Sequence, residues 1–349
     1  MKNMKSLTNF TAIGLGAALA GACADDSSEA GDSTDGPPSV VEEYVEEFRR
    51  ANPYVDHDVA RGPYRIAARE LEPSGEVSGP PIILMHGYPD SQHLYDRVVP
   101  FLRSERRVVT FDFLGWGASD KPPPSQHRYD AASLRADLEA VIEHFGVDQV
   151  ELVVHDASGW PGIDWALDNP DRVAALVVLN TVYHPTATAR PPEGLAQYAT
   201  PGPARDALIE RVSQDDALWL AGSEADGIIG FRGQIGRFFS SAAVRDALLP
   251  VFEEESLAMR PAFIALAGVL FDEVLARAAA IPRMRAFDRP VVIAFGIDDP
   301  YLNAGVAADF AAQFPRSRRI DIPGANHYVQ LDQPEAVASA IAGAGSAAD

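Results

Sequence analysis

The chain has 349 residues, 47% of them hydrophobic, so it can bury a sizeable core and exceeds one ordinary domain. Acidic residues number 50 against 29 basic ones; the formal charge of −21 argues against nucleic acid and anionic membrane surfaces as partners and favours a neutral, small organic ligand. Cys23 is the only cysteine, which excludes an intrachain disulfide, and with no metal-ligand spacing and no dinucleotide-binding glycine motif, no cofactor and no metal are expected.

Lys2 and Lys5 make the start of the chain positive, and Phe10–Ala22 is an apolar segment of small residues. That segment is short for a membrane span and reads as a signal peptide over residues 1–22. Cys23, directly after Ala20-Gly21-Ala22, resembles the cysteine of a bacterial lipobox. The resemblance implies a lipidated Cys23 and an exported protein that meets the membrane only through that anchor. Cleavage near Ala22 without lipid, giving a periplasmic or secreted protein, is the alternative. Residues 23–39, rich in Ser, Gly, Asp and Pro, read as a disordered tether. Glu42, Glu43, Glu46 and Glu47 then mark the solvated face of a helix.

Strand-like segments follow at Tyr64–Leu71, Pro81–Met85, Arg107–Phe113, Val150–His155, Val173–Leu179, Pro290–Phe295 and Arg319–Ile322. Helical patterns such as Ala131–Phe145 and Ala304–Phe314 lie between them, which predicts an α/β fold with a mostly parallel sheet and helices on both faces. Residues 184–280 break that rhythm with mixed helical patterns. They are expected to form a helical cap inserted between core segments 40–183 and 281–349. Phe231, Phe238, Phe239 and Phe252 are expected to fill the cap's core or line a pocket beneath it.

The most informative window is Val154-His155-Asp156-Ala157-Ser158-Gly159. A strand that turns sharply into a helix, with small residues around one reactive side chain, is a nucleophile elbow. Ser usually occupies its centre; here Asp156 does. A carboxylate with an ordinary pKa of about 3.9 is ionised at neutral pH and needs no base before it attacks. Attack on an ester carbonyl would give a reactive anhydride, whereas attack on saturated carbon gives an ester that water can cleave. Ser158 is the alternative nucleophile, but it would put bulky Trp160 where the turn needs a small residue. An Asp after a strand also serves as a helix cap, so its partners decide. Asp299, in the loop after Pro290–Phe295, is placed as an orienting acid, with Asp298 its nearest rival. His327, in Pro323-Gly324-Ala325-Asn326-His327 after the last strand, is placed as the base.

Together with His86-Gly87-Tyr88-Pro89-Asp90-Ser91 and the run Phe111–Pro122, these motifs make residues 56–341 resemble the Asp-nucleophile branch of the α/β-hydrolases, which holds epoxide hydrolases and haloalkane dehalogenases. The resemblance implies that Asp156 forms a covalent alkyl-enzyme ester, and that His327, oriented by Asp299, activates the water that cleaves it. It also implies an oxyanion hole built from the backbone amides of Tyr88 and Ala157. Pro89 has no N–H, so the Tyr88 amide is the one available in that loop. A dehalogenase of this branch needs N–H donors for the halide, and an epoxide hydrolase needs cap tyrosines. Ala157 stands where a donor Trp is usual in both. Tyr198, the only Tyr within 184–280, is the expected proton donor, with Tyr183 as a second hydroxyl and Trp116 or Trp160 as N–H donors for the dehalogenase case. The expected activity is epoxide hydrolysis to a diol. Haloalkane dehalogenation is the alternative, and a non-catalytic binding protein on the same fold is the reading from another class.

Overall fold

The computed structural model describes residues 37–77 and 79–345; the expected signal segment and Cys23 lie outside the described residues. Eight strands form one sheet: β1 (Val55–Arg61), β2 (Tyr64–Leu71), β3 (Ile82–Met85), β4 (Val108–Phe111), β5 (Val150–His155), β6 (Val173–Leu179), β9 (Val291–Gly296) and β10 (Ser317–Ile322). Their spatial order is β1-β2-β4-β3-β5-β6-β9-β10. β2 runs antiparallel to both β1 and β4, and every later pairing is parallel. A second, two-stranded ribbon of β7 (Gly222–Ser223) and β8 (Ile228–Ile229) lies in the cap.

The continuous apolar runs become central strands because helices cover both faces of a parallel sheet and leave no solvated side. Every residue of β3, β4, β5 and β9 is buried. Burying one such Val, Leu or Ile contributes roughly 1.5–3 kcal/mol before chain entropy is counted. The polar exceptions are paired. Glu151 in β5 meets Arg106 at 2.9 Å, and Thr110 in β4 donates to Gln92 Oε1 at 2.8 Å. The flanking helices begin on residues that cap them: Asp130 accepts from the Ser133 amide at 2.9 Å, and Asn303 accepts from the Gly305 amide at 3.0 Å.

β1 is absent from the expected strands. It is an edge strand with one buried residue, Val59, and its other side chains are largely solvated, so it carries no apolar run. The cap ribbon was equally silent at two residues per strand. Between β6 and β9 the cap holds helices at Glu193–Ala199, Pro203–Gln214, Asp216–Ala221, Phe231–Ile235 and Leu270–Ala276, and a long one at Ala242–Ala267. Trp219 is its packing centre, stacked on Phe231 at 5.9 Å and meeting Phe263 edge-on at 5.1 Å. All the parallel strands point their carboxyl ends to one edge of the sheet. The loops leaving β3, β5, β6, β9 and β10 therefore converge there, which is where open α/β sheets place their sites.

Candidate active site

Asp156 leaves β5 with φ +48°, the one positive φ outside glycine among the described residues. Side chains rarely adopt this conformation, and it lifts the carboxylate out of the sheet edge. Small neighbours make room for it. A Cβ on Gly87 would stand 2.7 Å from both Asp156 Cβ and His155 Nδ1, and a Cβ on Gly159 would overlap Thr181 Oγ1. The Thr181 hydroxyl donates to the Asp156 carbonyl, closing the turn.

The carboxylate already rests in a two-amide cradle. The Tyr88 amide donates to Asp156 Oδ1 at 3.0 Å, and the Ala157 amide donates to the same carboxyl group. Asp156 Oδ2 lies 3.6 Å from His327 Nε2, close for an ion pair and too long for a hydrogen bond. His327 Nδ1 donates to Asp299 Oδ2 at 2.9 Å. Asp299 in turn accepts from the amides of Tyr301 and Leu302 on Oδ1, at 2.8 and 3.0 Å, and from Asn180 Nδ2 on Oδ2 at 3.1 Å. Asp298 is not the partner; its amide bonds the Ala325 carbonyl.

Asn180 escaped the sequence reading. It is fully buried at the end of β6, and its Oδ1 accepts from the Gly296 amide at 2.7 Å, tying the β6 and β9 loops together. A polar Asn-Thr pair ending the run Val173–Leu179 was the available signal. Ser158 is consumed structurally: its Oγ accepts from the His155 amide at 2.8 Å and shares its one hydrogen between the carbonyls of His155 and Met85, 2.7 and 3.1 Å away. His155, held neutral by burial, donates Nε2–H to the His327 carbonyl at 3.0 Å and so fixes the base's backbone.

Burial pushes the His327 ring down, but Asp299, through charge and hydrogen bond, and then Asp156 outweigh it and raise the ring to about 9. Burial pushes Asp299 up, and the charge and hydrogen bond of His327 with the two loop amides outweigh that, leaving it below the usual carboxylate range. For Asp156 burial wins and raises it, against His327 and the two cradle amides. A base raised in the folded state stabilises fully below its ordinary value of 6.5, and that contribution disappears as pH climbs to about 9. The stability that wild type holds over His327→Gln should therefore shrink from pH 6.5 to about 9, measured by thermal melts of both proteins. A gap that stays constant with pH would contradict the ion pair.

Above the triad lies a cavity of about 460 Å³ between core and cap. Asp156, His327 and Tyr88 form its floor, and Leu195, Phe263 and Phe271 are among its apolar walls. Of the four phenylalanines expected in cap core or pocket wall, Phe238 lines it; Phe231, Phe239 and Phe252 are buried without lining it.

The expected leaving-group donors fare differently. Tyr198 does not line this cavity: its ring packs 5.2 Å from Phe263 and 6.1 Å from Trp219, in the interior of the cap. Counting cap tyrosines found the residue but not the direction of its side chain. Tyr183 donates to Asp164 at 2.5 Å, and Trp160 Nε1 to the Val182 carbonyl at 2.9 Å. Trp116 is buried against Tyr129 and does not line the cavity either. The two phenols that do line it are engaged. Tyr301 Oη lies 3.1 Å from Glu193 and 3.2 Å from Arg237, and Tyr88 Oη donates to the Phe263 carbonyl at 2.6 Å. With Ser91 Oγ donating to Glu255 Oε2 at 2.8 Å, that bond ties the loop carrying the Tyr88 amide to the long cap helix at two points.

Residues 80–334 match the family model described as the alpha/beta hydrolase fold. A haloalkane dehalogenase from Sphingobium indicum is 29% identical over 307 residues, covering 79% of this chain and 92% of that protein. Among solved structures, the haloalkane dehalogenase DatA from Agrobacterium tumefaciens C58 superposes with a TM-score of 0.67 at 20% identity, covering 85% of this chain and 97% of that one. The epoxide hydrolase CorEH superposes at 0.62 with 19% identity, covering 84% and 99%; at such identities the likeness is one of fold. The strand order, the elbow at the end of β5 and the family match over most of the chain lead to one assignment: this is a hydrolase enzyme belonging to the α/β-hydrolase family.

Proposed function

We propose that the chain hydrolyses a small neutral organic substrate in two steps through an alkyl ester on Asp156, and that the bond broken is carbon–halogen. The observation that carries this reading is the Asp156 carboxylate itself, with Oδ1 held by the Tyr88 amide and Oδ2 turned to His327 over an apolar cavity. Oδ2 would attack the saturated carbon and the halide would leave with the bonding electrons. Oδ1 would become the ester carbonyl, already bonded to the donors that stabilise the oxyanion when water adds.

The charge balance separates the two steps. In the resting site His327 is protonated, raised by both carboxylates, and cannot act as a base. Esterification removes the negative charge of Asp156 and with it one of the influences holding the ring up. His327 would then release its proton to solvent and, as the neutral ring, take one from the attacking water while Asp299 steadies the imidazolium, which returns a proton to the departing alcohol oxygen. Collapse of the adduct releases the alcohol and restores the carboxylate. Overall the haloalkane and water give alcohol, halide and a proton.

Support for a halide over an epoxide comes from the wall. A halide departs as a stable anion and needs hydrogen bonds but no proton, whereas an alkoxide needs an acid. Neither lining phenol is free to serve as one, and Tyr198 packs elsewhere. The Sphingobium relative is named for the same reaction. Purified protein assayed side by side, for halide from haloalkanes and diol from epoxides, tests the choice; diol without halide would return the assignment to epoxide hydrolysis.

For the N-terminus we propose lipidation of Cys23 and anchorage of an exported protein. Two acyl chains, each adding about 0.8 kcal/mol per buried methylene, suffice for stable attachment. Wild type should sediment with membranes and Cys23→Ser should remain in the supernatant. Wild type that stays soluble with an unmodified Cys23 would reject the anchor.

A further inference from the structure

Two polar side chains on the cavity wall take no part in the two-step scheme. Asp156 and His327 carry the chemistry, the phenols of Tyr88 and Tyr301 are bonded elsewhere, and Gln234 is buried with its Oε1 held by the Gly194 amide. Thr186 and Arg190 remain, both on the loop between β6 and the cap helix Glu193–Ala199. The backbone of this loop is fixed. The Arg190 amide donates to the Tyr301 carbonyl at 3.2 Å, and Asn303 Nδ2 donates to the Thr188 carbonyl at 2.9 Å. Thr186 Oγ1 accepts from the Ala189 amide at 3.1 Å, which leaves its hydroxyl hydrogen to be donated to another group. The Arg190 guanidinium has no hydrogen bond and no ion pair among the described residues. Acidic residues outnumber basic ones 50 to 29, so most arginines here find a carboxylate. Glu193, three residues along the chain, is committed to Arg237 at 2.9 Å and to Tyr301 at 3.1 Å. Elsewhere in the cap Arg277 pairs with Asp164 at 2.6 Å and with Glu273 at 2.7 Å. Arg190 is exposed, which puts it where the cavity opens rather than at its floor.

On the reading that Asp156 is alkylated, we propose that Arg190 and Thr186 form a second binding subsite at the cavity mouth. It receives an oxygen acceptor carried on the end of the substrate remote from the carbon attacked. In a mostly apolar pocket a few polar groups set the orientation of what enters, and these two are the uncommitted donors on this wall. A guanidinium offers N–H groups and no acceptor, so it selects for oxygen rather than for another donor. Leu195, Phe263 and Phe271 would take the alkyl chain between the two ends. The substrate class that follows is a haloalkane with a carbonyl at its far end. An amide or ester keeps that substrate neutral; a carboxylate presents the same acceptor oxygen with a charge, and the test separates them.

Arg190 is exposed and bonded only through its backbone, so Arg190→Met should fold. With His327→Gln as background in the full chain, intact-mass spectrometry follows alkylation of Asp156 by 1-bromohexane, 6-bromohexanamide and 6-bromohexanoate. The rate with the amide, relative to the rate with bromohexane, should fall about tenfold in Arg190→Met, as expected for loss of a hydrogen bond to a charged group. Arg190→Lys should recover part of that ratio, and Thr186→Val should lower it by less than Arg190→Met does. An equal fall for the hexanoate supports a carbonyl recognised by hydrogen bonding. A much larger fall for the hexanoate supports the subsite and assigns it a carboxylate. Ratios unchanged in Arg190→Met, or all three probes slowed alike, overturn the subsite. Calorimetry of hexanamide binding reads the same contact without alkylation. An His327→Gln protein that forms no adduct with any of the three bromides removes the alkyl-ester reading instead. In that case hexanamide binding that weakens in Arg190→Met supports the subsite, and binding that is absent or does not weaken overturns it.

Discussion

Asp156→Ala is expected to cost about 10⁴-fold or more in turnover, because no other group on the cavity floor can form the covalent intermediate and losses of that order follow removal of a nucleophile. His327 would still face the cavity with Asp299 behind it, but without an ester they have nothing to hydrolyse. The fold should survive. The Asp156 side chain is one-fifth exposed and lies outside the packed strands. An alanine at φ +48° adds local strain, and removing a carboxylate whose burial is unfavourable acts in the other direction, so the change in stability should stay within roughly 1–2 kcal/mol. Steady-state turnover beside a thermal melt checks both parts. A folded Asp156→Ala protein with activity near wild type would remove the residue from the mechanism.

His327→Gln should divide the reaction at its midpoint. Asp156 attacks as an anion and needs no proton removed, so the first step persists; the second loses its base. Turnover should fall roughly 10³-fold, within the range that general bases contribute. Leaving-group release should then appear as a burst of one equivalent per site. Intact mass should show a single alkyl adduct, and peptide mapping should place it on Asp156. With a confirmed substrate, a burst without an adduct, or neither, would refute the two-step scheme.

Much of this site was legible because each member of the triad follows a strand. Val150–Val154, Pro290–Phe295 and Arg319–Ile322 could be read as strands from their composition, and a parallel sheet sends the residues after them to one edge. Asp156, Asp299 and His327 are far apart in the chain, yet strand order brings their loops to one edge, where His327 Nδ1 lies 2.9 Å from Asp299 Oδ2. The choice of Asp299 over Asp298 was made in the sequence, and the turn geometry explains it: one carboxylate is presented to the ring, and the other residue's amide to Ala325. The cap resisted reading for a physical reason. Most of its helices span two turns or fewer, so periodicity does not tell a residue facing the core from one facing the cavity. Tyr198 and Phe238 illustrate the two outcomes.

The bonds from Tyr88 to the Phe263 carbonyl and from Ser91 to Glu255 tie the long cap helix to the loop whose Tyr88 amide holds Asp156 Oδ1, the proposed oxyanion donor. On the proposed scheme the helix therefore sets the position of an amide that would have to hold still while charge builds on the ester oxygen. A helix lifted from the core would slacken that loop and, on the proposed scheme, cost the hydrolytic step its donor. A chimera carrying a foreign cap on this core would bind and still hydrolyse poorly unless the graft returned a main-chain carbonyl to the Tyr88 phenol and a carboxylate to Ser91.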